Sequence, residues 1–259
     1  MNLKALWYDS KVHVGLTLFL IWLLAIWQFR TDLNILRIIL YPILAIFTIA
    51  LFDVGLTHLR YRKNYLPTAT VVSGFLIGLI LAPSEPIWVI IAASILVSFS
   101  KQFIAFGIRR HILNPAAFGI IGVNLIFDTT VSWWGVAWGW FPLVILVPLM
   151  LRILWRLHRL YLPIGFLTFY ALYLLISQPF DFVIRTLTDP TVLMFALVML
   201  PEPVTSPVNG YFKYGFGVFV AIIAIIFSNF GKLSEIFLPA LLFSNLVTFY
   251  LIKIQKYSK

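Results

Sequence analysis

The polar residues that could do chemistry in this chain gather at three Pro-rich interruptions of long apolar runs. The segment Ala82–Pro86 carries Ser84 and Glu85. Arg109–Phe118 carries Arg109, Arg110 and Asn114, and Leu200–Asn209 carries Glu202, Thr205, Ser206 and Asn209. In hydrocarbon an unpaired backbone group costs several kcal/mol, so irregular backbone at such points must face a cavity or other protein. A helix starting at Pro115 or at Pro239 would present free N–H groups to an anion or a polar ring. The bland alternative is ordinary loops with interfacial charges, and it suits Arg110 and Lys213 best. Glu85 and Glu202 hold equivalent places in the two halves of the chain and are read as functional candidates. Asp53 lies inside an apolar run, where an acid is costly and usually functional. Asp53 and Glu85 are therefore the candidates for ion or proton handling, although Asp53 is close enough to a helix end to pair with Arg60 or face water. Lys101 either snorkels to headgroups or faces an anionic ligand.

Other chemistry is excluded by what is missing. The sequence has no cysteine, so thiolate chemistry and protein-held iron–sulfur clusters are absent from this chain. His13, His58, His111 and His158 form no HExxH or paired motif, and each lies near a predicted helix end beside Lys or Arg. An interfacial role is expected for them, with no metal and no haem. There is no Walker loop, no GxSxG elbow and no dinucleotide fingerprint, and no catalytic residue is assigned.

The elements that position these residues follow from composition. The chain is 62% hydrophobic and 11% charged, with a mean hydropathy of +1.00, which places it among polytopic membrane proteins rather than soluble domains. The net charge of +10 is read as loop Lys and Arg orienting the spans, not as a nucleic-acid surface. A span takes about 20 apolar residues, and about ten segments qualify: Val14–Phe29, Ile35–Thr57, Thr68–Ala82, Pro86–Phe106, Pro115–Phe127, Val136–Leu151, Leu160–Ser177, Thr191–Leu200, Phe212–Ser228 and Ile236–Ile252. The third, fifth and eighth are short. With ten spans, the clusters Arg60/Arg62/Lys63, Arg109/Arg110, Arg152/Arg156/Arg159 and Lys253/Lys256/Lys259 fall on one side, which predicts a multi-pass plasma-membrane protein with both termini cytoplasmic. Trp133, Trp134, Trp138 and Trp140 would then form an aromatic belt at the outer interface. No cleaved signal peptide is expected.

The chain also resembles itself. TVVSGFLIGLILAPSEP from Thr70 parallels TVLMFALVMLPEPVTSP from Thr191, and HILNPAAFGIIGVNL from His111 parallels EIFLPALLFSNLV from Glu235. Five spans separate the copies, so they enter the membrane from opposite sides. The predicted fold is all-α: one transmembrane domain of residues 1–259, with two inverted five-helix repeats (about 12–128 and 133–253) containing broken half-helices around a polar chamber.

FSKQFIAFGIRRHILNPAAFG from Phe99 resembles a signature of the RnfD/NqrB family, the membrane subunits of ion-translocating flavin electron-transport complexes. Lys101, Gly107, Arg109, Asn114, Pro115 and Ala116 match it. MLPEPVTSP from Met199, followed by Tyr214-Gly215 and later Asn245, resembles that family's second signature, with Glu202 where Asp is usual. The resemblance runs from about Thr68 to the C-terminus. It implies a membrane protein that holds flavin and moves electrons across or within the membrane, coupled to Na+ or H+. The implied site residues are Lys101, Arg109, Asn114, Glu202, Thr205, Ser206, Asn209 and Asn245. Arg109 would stabilise an anionic reduced ring, and Asn114, Thr205, Ser206 and Asn209 would hydrogen-bond it. Family members attach FMN to a Thr in a Ser-Gly-Ala-Thr-like motif of the loop after the Asn-Pro helix. That loop reads FDTTVSWWG here. Thr129 and Thr130 lie in the right region without the motif, so the expectation is non-covalent riboflavin or FMN. Electrons would come from a cytoplasmic flavoprotein or iron–sulfur reductase, with further membrane subunits and lipid as partners. Missing the motif keeps a second expectation open: a small-solute transporter or channel of the same architecture, without redox chemistry. A purely scaffolding role in a larger complex is a third.

Overall fold

The computed structural model describes residues 9–62, 68–106, 111–207, 212–230 and 233–257. Eleven helices make up the described chain. They are α1 Ser10–Gln28, α2 Ile35–Tyr61, α3 Thr68–Ile80, α4 Ile87–Phe103, α5 Pro115–Phe127, α6 Phe141–Arg156, α7 Tyr161–Ser177, α8 Phe180–Leu187, α9 Pro190–Met194, α10 Phe212–Phe230 and α11 Phe237–Tyr257. The α9 helix continues without a break as a π-helical turn, Phe195–Met199.

Among the described residues, three helices are long and apolar enough to cross a membrane: Ser10–Gln28, Ile35–Tyr61 and Phe212–Asn229. Five more apolar helices are shorter, among them Ala69–Ile80 and Pro115–Phe127. The protein has the all-helical, apolar character of a helical membrane protein. Leu23, Leu36, Phe47, Leu51, Ile164 and Leu172 point outward from α1, α2 and α7, a surface that lipid suits and water does not.

The short helices sit innermost. Ile77, Leu79 and Ile80 of α3, and Phe195 and Ala196 of the π turn, are fully buried. The α2 helix packs on α3 and α4, α4 packs on α5, and α1 packs on α3. In the second half α7 packs on α10 and on the π turn, α10 packs on α11, and α6 packs on α9 and the π turn. The halves meet through α1 on α6 and α5 on α11.

Glycines permit close helix approaches, two of them onto backbone atoms of a facing helix. A Cβ on Gly78 would lie 2.6 Å from Pro42 Cα of α2, and one on Gly217 would lie 2.2 Å from the Leu162 carbonyl of α7. Without a hydrophobic driving force between helices in lipid, such small-residue contacts carry the packing.

The proline signals fall at helix starts. Pro115 is the first residue of α5, capped by Asn114 Oδ1 accepting from the Ala117 N–H at 3.0 Å. Pro239 lies in the first turn of α11, where its missing N–H removes no helical bond. Pro42 and Pro148 lie inside α2 and α6.

Two expectations need correction. The run after Ser177 lies outside the ten segments that qualify as spans, yet it is helical. Phe180–Leu187 is a helix bent 48° from the following Pro190–Met199 segment, so the pair is a broken span or a re-entrant loop. The mixed charges Asp181 and Arg185 hid its amphipathic pattern. The proposed tryptophan belt also fails for two of its four members. Trp133 and Trp134 are buried, because their indole N–H groups satisfy inner acceptors: Glu235 Oε2 at 2.7 Å and the Gly78 carbonyl at 2.9 Å.

Overpacking a tight crossing costs about 1–3 kcal/mol. Gly217→Ala is therefore expected to lower the detergent melting temperature by several degrees, whereas Gly55→Ala, with nothing within 4 Å of its Cβ, should leave it unchanged or raise it slightly. Equal melting temperatures for the two variants would show that the α7–α10 contact is not tight.

Candidate functional site

Each end of the short segment Pro190–Met199 opens on a recess. One, the near recess, lies at the end of the bundle where α1 begins and encloses about 90 Å3. Lys11, Lys101, His111, Asn114, Glu202 and a set of aliphatic side chains from α1, α3 and α6 line it.

The chain around this recess is irregular, and its backbone groups are matched one by one. Asn114 is the centre. Its N–H donates to Asn245 Oδ1 at 3.0 Å, and its Nδ2 donates to the Met199 carbonyl at 3.2 Å. Asn245 Nδ2 donates onward to the Thr205 carbonyl at 3.3 Å. Thr205 Oγ1 donates to Glu202 Oε2 at 3.1 Å, and Ser206 Oγ to the Glu202 carbonyl at 2.6 Å. Arg159, in the short link between α6 and α7, closes the set. Its Nη1 donates to Ser206 Oγ at 2.5 Å and to the Pro201 carbonyl at 3.4 Å, and its Nη2 donates to the Pro203 carbonyl at 3.4 Å. Burial pushes the Arg159 guanidinium below its ordinary value, and Tyr161 and Glu202 nearby act in the opposite direction.

One ion pair and one histidine–carboxylate contact flank the recess. Lys101 Nζ lies 2.9 Å from Asp53 Oδ2, and both side chains are more than nine-tenths buried. Thr70 of α3 donates to the same oxygen at 3.0 Å, so α2, α3 and α4 meet at one carboxylate. Asp53 Oδ1 and Ser100 Oγ are buried with no hydrogen-bond partner. Opposite, His111 Nε2 lies 3.0 Å from Glu202 Oε1.

The far recess has a volume of about 530 Å3 and lies at the other end of the segment, between Trp133, Tyr170, Arg185, Asp189, Glu235 and Phe237. Glu235 is 7% exposed. Its Oε1 accepts the N–H groups of Phe237 and Leu238 at 2.8 and 3.1 Å, and its Oε2 accepts Trp133 Nε1. Burial holds its carboxyl above the ordinary carboxylate range, against the pull of those three donors.

The near recess thus brings together Lys101, Asn114 and Glu202 from the sequence-derived set. Thr205, Ser206 and Asn245 stand behind its wall, Ser206 and Asn245 engaged with backbone and Thr205 with the Glu202 carboxylate. Arg109 and Asn209 lie outside the described residues. Asp53 pairs with Lys101 and not with Arg60, which donates to the Gln102 carbonyl and lies over the Phe103 ring. Lys101 is correspondingly not a snorkelling lysine. Glu85 sits at the opposite end from Glu202: its Oε1 accepts the Thr130 N–H at 2.8 Å and its carbonyl accepts the Tyr41 hydroxyl. Thr129 is buried, Thr130 is exposed, and both belong to that same far end.

Sequence reasoning missed His111, Arg159, Trp133 and Glu235. His111 stands three residues before a capping Asn, a spacing that could have flagged it. Arg159 and Trp133 gave no local signal, because their partners are 42 to 102 residues away, whereas Glu235 accepts the N–H groups two and three residues on, a capping pattern that could have flagged it. Among the described residues no cluster of three His, Asp or Glu could hold a metal. No family model matches the chain, and no curated protein matches it.

Breaking a buried ion pair from one side costs about 3–5 kcal/mol, while replacing both partners can be nearly neutral. Asp53→Asn and Lys101→Met are each expected to destabilise strongly, and the double variant should recover most of the loss in detergent melting experiments. Strictly additive losses would show that the two groups are not energetically coupled.

Proposed function

We propose that the chain is a membrane component of a flavin-dependent electron-transport complex, related to the RnfD/NqrB family. One observation carries this reading. The Asn-Pro signature around Asn114, the Glu-Pro-Val-Thr-Ser-Pro signature from Glu202 and Asn245 are far apart in sequence, yet they close into one hydrogen-bonded knot. Signatures shared by chance have no reason to converge.

The packing supports ten spans in two inverted repeats. If α1–α5 correspond to α6, α7, α9 with its π turn, α10 and α11, four pairings of the first half recur in the second: α2 on α4, α4 on α5, α2 on α3 and α1 on α3. The two contacts between halves then join equivalent helices, α1 with α6 and α5 with α11, as a two-fold axis requires. On this reading both termini are cytoplasmic and the protein lies in the cell membrane.

A flavin does not fit the near recess as it stands. Ligand pockets run to about 300–1,000 Å3, the space here is about 90 Å3, and the amides of Asn114 and Asn245 are already engaged. The far recess has the room at about 530 Å3, with Trp133, Tyr170 and Phe237 along it. The Thr129–Thr130 loop runs straight into Val131 and Trp133 of its wall. Arg185 is placed to meet a phosphate, and Trp133, Tyr170 and Phe237 to bound a ring. A bound flavin would supply the redox chemistry. The chain's own residues supply walls, exclude water and hold the Glu235 carboxyl at the floor. The chain lacks cysteine, so a cytoplasmic flavoprotein or iron–sulfur reductase would deliver electrons, and Na+ or H+ would be the coupled ion.

The small near recess favours one second reading, a small-solute transporter or channel. A purified preparation in mild detergent separates the two. Flavin absorbance at near one equivalent per chain is expected, and Trp133→Ala should weaken flavin affinity about two- to twelvefold, as loss of about 0.5–1.5 kcal/mol of ring contact implies. Asn114→Ala should instead loosen the two halves while leaving flavin per folded protein unchanged. A colourless preparation from flavin-replete cells overturns the electron-transport reading in favour of transport.

A further inference from the structure

The outer surface between α1 and α3 is shaped as well as apolar. Lys11, Gly15 and Phe19 recur at every fourth position of α1, and Val71 and Phe75 do the same on α3. Side chains four apart share a helix face, so the two rows bound a trough between the helices, with a volume of about 330 Å3. A Cβ on Gly15 would lie 3.4 Å from Val71 Cγ1, so the glycine keeps the trough open at its middle. Leu16, Phe19 and Val71 along it are exposed, and α1 is long and apolar enough to cross a membrane. The trough therefore opens toward lipid.

The two ends of the trough differ. Lys11 stands at one end, in the first turn of α1. Phe19 and Phe75 close the other, their rings 6.2 Å apart and edge to face, with Trp22 5.8 Å from each of them. From Lys11 to Phe19 is about 12 Å of helical rise. One leaflet contributes about 15 Å of hydrocarbon, half of a core about 30 Å thick. A blind apolar trough that starts at a cation and runs most of one leaflet deep has the proportions of an acyl chain lying along the span.

Charge names the rest of the occupant. Lys11 lines both the trough and the near recess, and among the described residues no carboxylate pairs with its ammonium. The other charges at that recess are engaged, Lys101 with Asp53, and Glu202 with His111 and Thr205. The Asp9 side chain caps α1 by accepting the Lys11 backbone N–H at 2.9 Å, which fixes the backbone of this residue and leaves its ammonium to meet a ligand. A snorkelling lysine reaches any headgroup. A lysine at the head of a blind trough selects one whose chain fills the trough. An uncharged chain leaves Lys11 without a partner, and a partner helix, about 10–12 Å across, is too wide for a gap that a methyl group on Gly15 would already narrow.

We propose that the α1–α3 trough is a phospholipid site: one acyl chain lies between the two helices past Gly15 to Phe19, and an anionic headgroup rests on Lys11 at the edge of the near recess. The bound chain covers Val71, an exposed position of α3, whose residues from Ser73 onward are buried. The site rests on α1 crossing the membrane and not on a bound flavin.

The test titrates the full chain, purified in mild detergent, with phosphatidylglycerol or phosphatidylcholine and counts retained lipid by native mass spectrometry. One saturable equivalent of phosphatidylglycerol is expected, held about fivefold better than phosphatidylcholine, the preference that one interfacial lysine gives for an anionic headgroup. Lys11→Gln keeps the Asp9 cap, and it should remove that preference while leaving phosphatidylcholine retention unchanged. Val71→Trp fills the trough from an exposed position, and it should lower retention of both lipids several-fold without lowering the melting temperature of the lipid-free protein. Should Val71→Trp fail to assemble, Leu16→Trp carries the same expectation. Retention unchanged in both variants overturns the site. A loss with Lys11→Gln but none with the tryptophan variant leaves only a surface charge and overturns the trough. Equal retention of the two lipids by the unaltered chain overturns the anionic headgroup, and thermal stabilisation by inorganic phosphate alone, equal to that by the lipid, overturns the acyl chain.

Discussion

Everything in this bundle depends on pairing the backbone groups that its broken helices leave exposed. In lipid no water is present to take an orphan carbonyl, and the chain interrupts its inner helices twice. At the near end the carbonyls of Met199, Pro201, Pro203 and Thr205 are taken by Asn114, Arg159 and Asn245. At the far end the Ile80 carbonyl accepts the N–H groups of Ser132 and Trp133, and the Leu79 carbonyl accepts that of Gly135. The prolines at 201, 203 and 207 ease the problem by removing donors that would need partners. Side chains that look like ligands in the sequence are largely consumed by this accounting, which is why so few of them line a cavity.

That division explains what could be read from residues alone. Asn114 before Pro115 announces a capped helix start, since cap chemistry is local and depends only on neighbours in sequence. The short inner segments announce themselves by length. Partnerships are different. Asp53 and Lys101 lie on two helices 48 positions apart, and in a uniformly apolar sequence nothing selects Lys101 over Arg60 as the partner. Trp133 is instructive in the same way. A tryptophan beside a span end reads as an interfacial anchor, but an indole N–H within reach of a buried carboxylate is worth more inside. The loop therefore folds inward, and the belt loses two of its members.

The two carboxylates that matter most, Glu202 and Glu235, end up in contrasting surroundings. Glu202 has the His111 ring within reach, the Thr205 hydroxyl donating to its carboxylate, and partial solvent contact. Glu235 has three N–H donors and an apolar surround. Hydrogen bonds favour the ionised form and burial opposes it, and at Glu235 burial wins.

The halves are joined differently from the helices within each half. Inside a half, close glycine crossings such as Gly78 on Pro42 and Gly217 on Leu162 give large van der Waals contact. Between halves, apolar helix faces meet, and apolar contact discriminates poorly in lipid because the tails are as apolar as the partner. What selects one arrangement is the small set of polar ties crossing the boundary: His111 to Glu202, Asn114 to Met199 and Asn245, and Trp134 to Gly78. A shift of one half against the other would strain these ties at both ends of the bundle at once, and the π turn is held in the same set, because its last residue, Met199, accepts from Asn114.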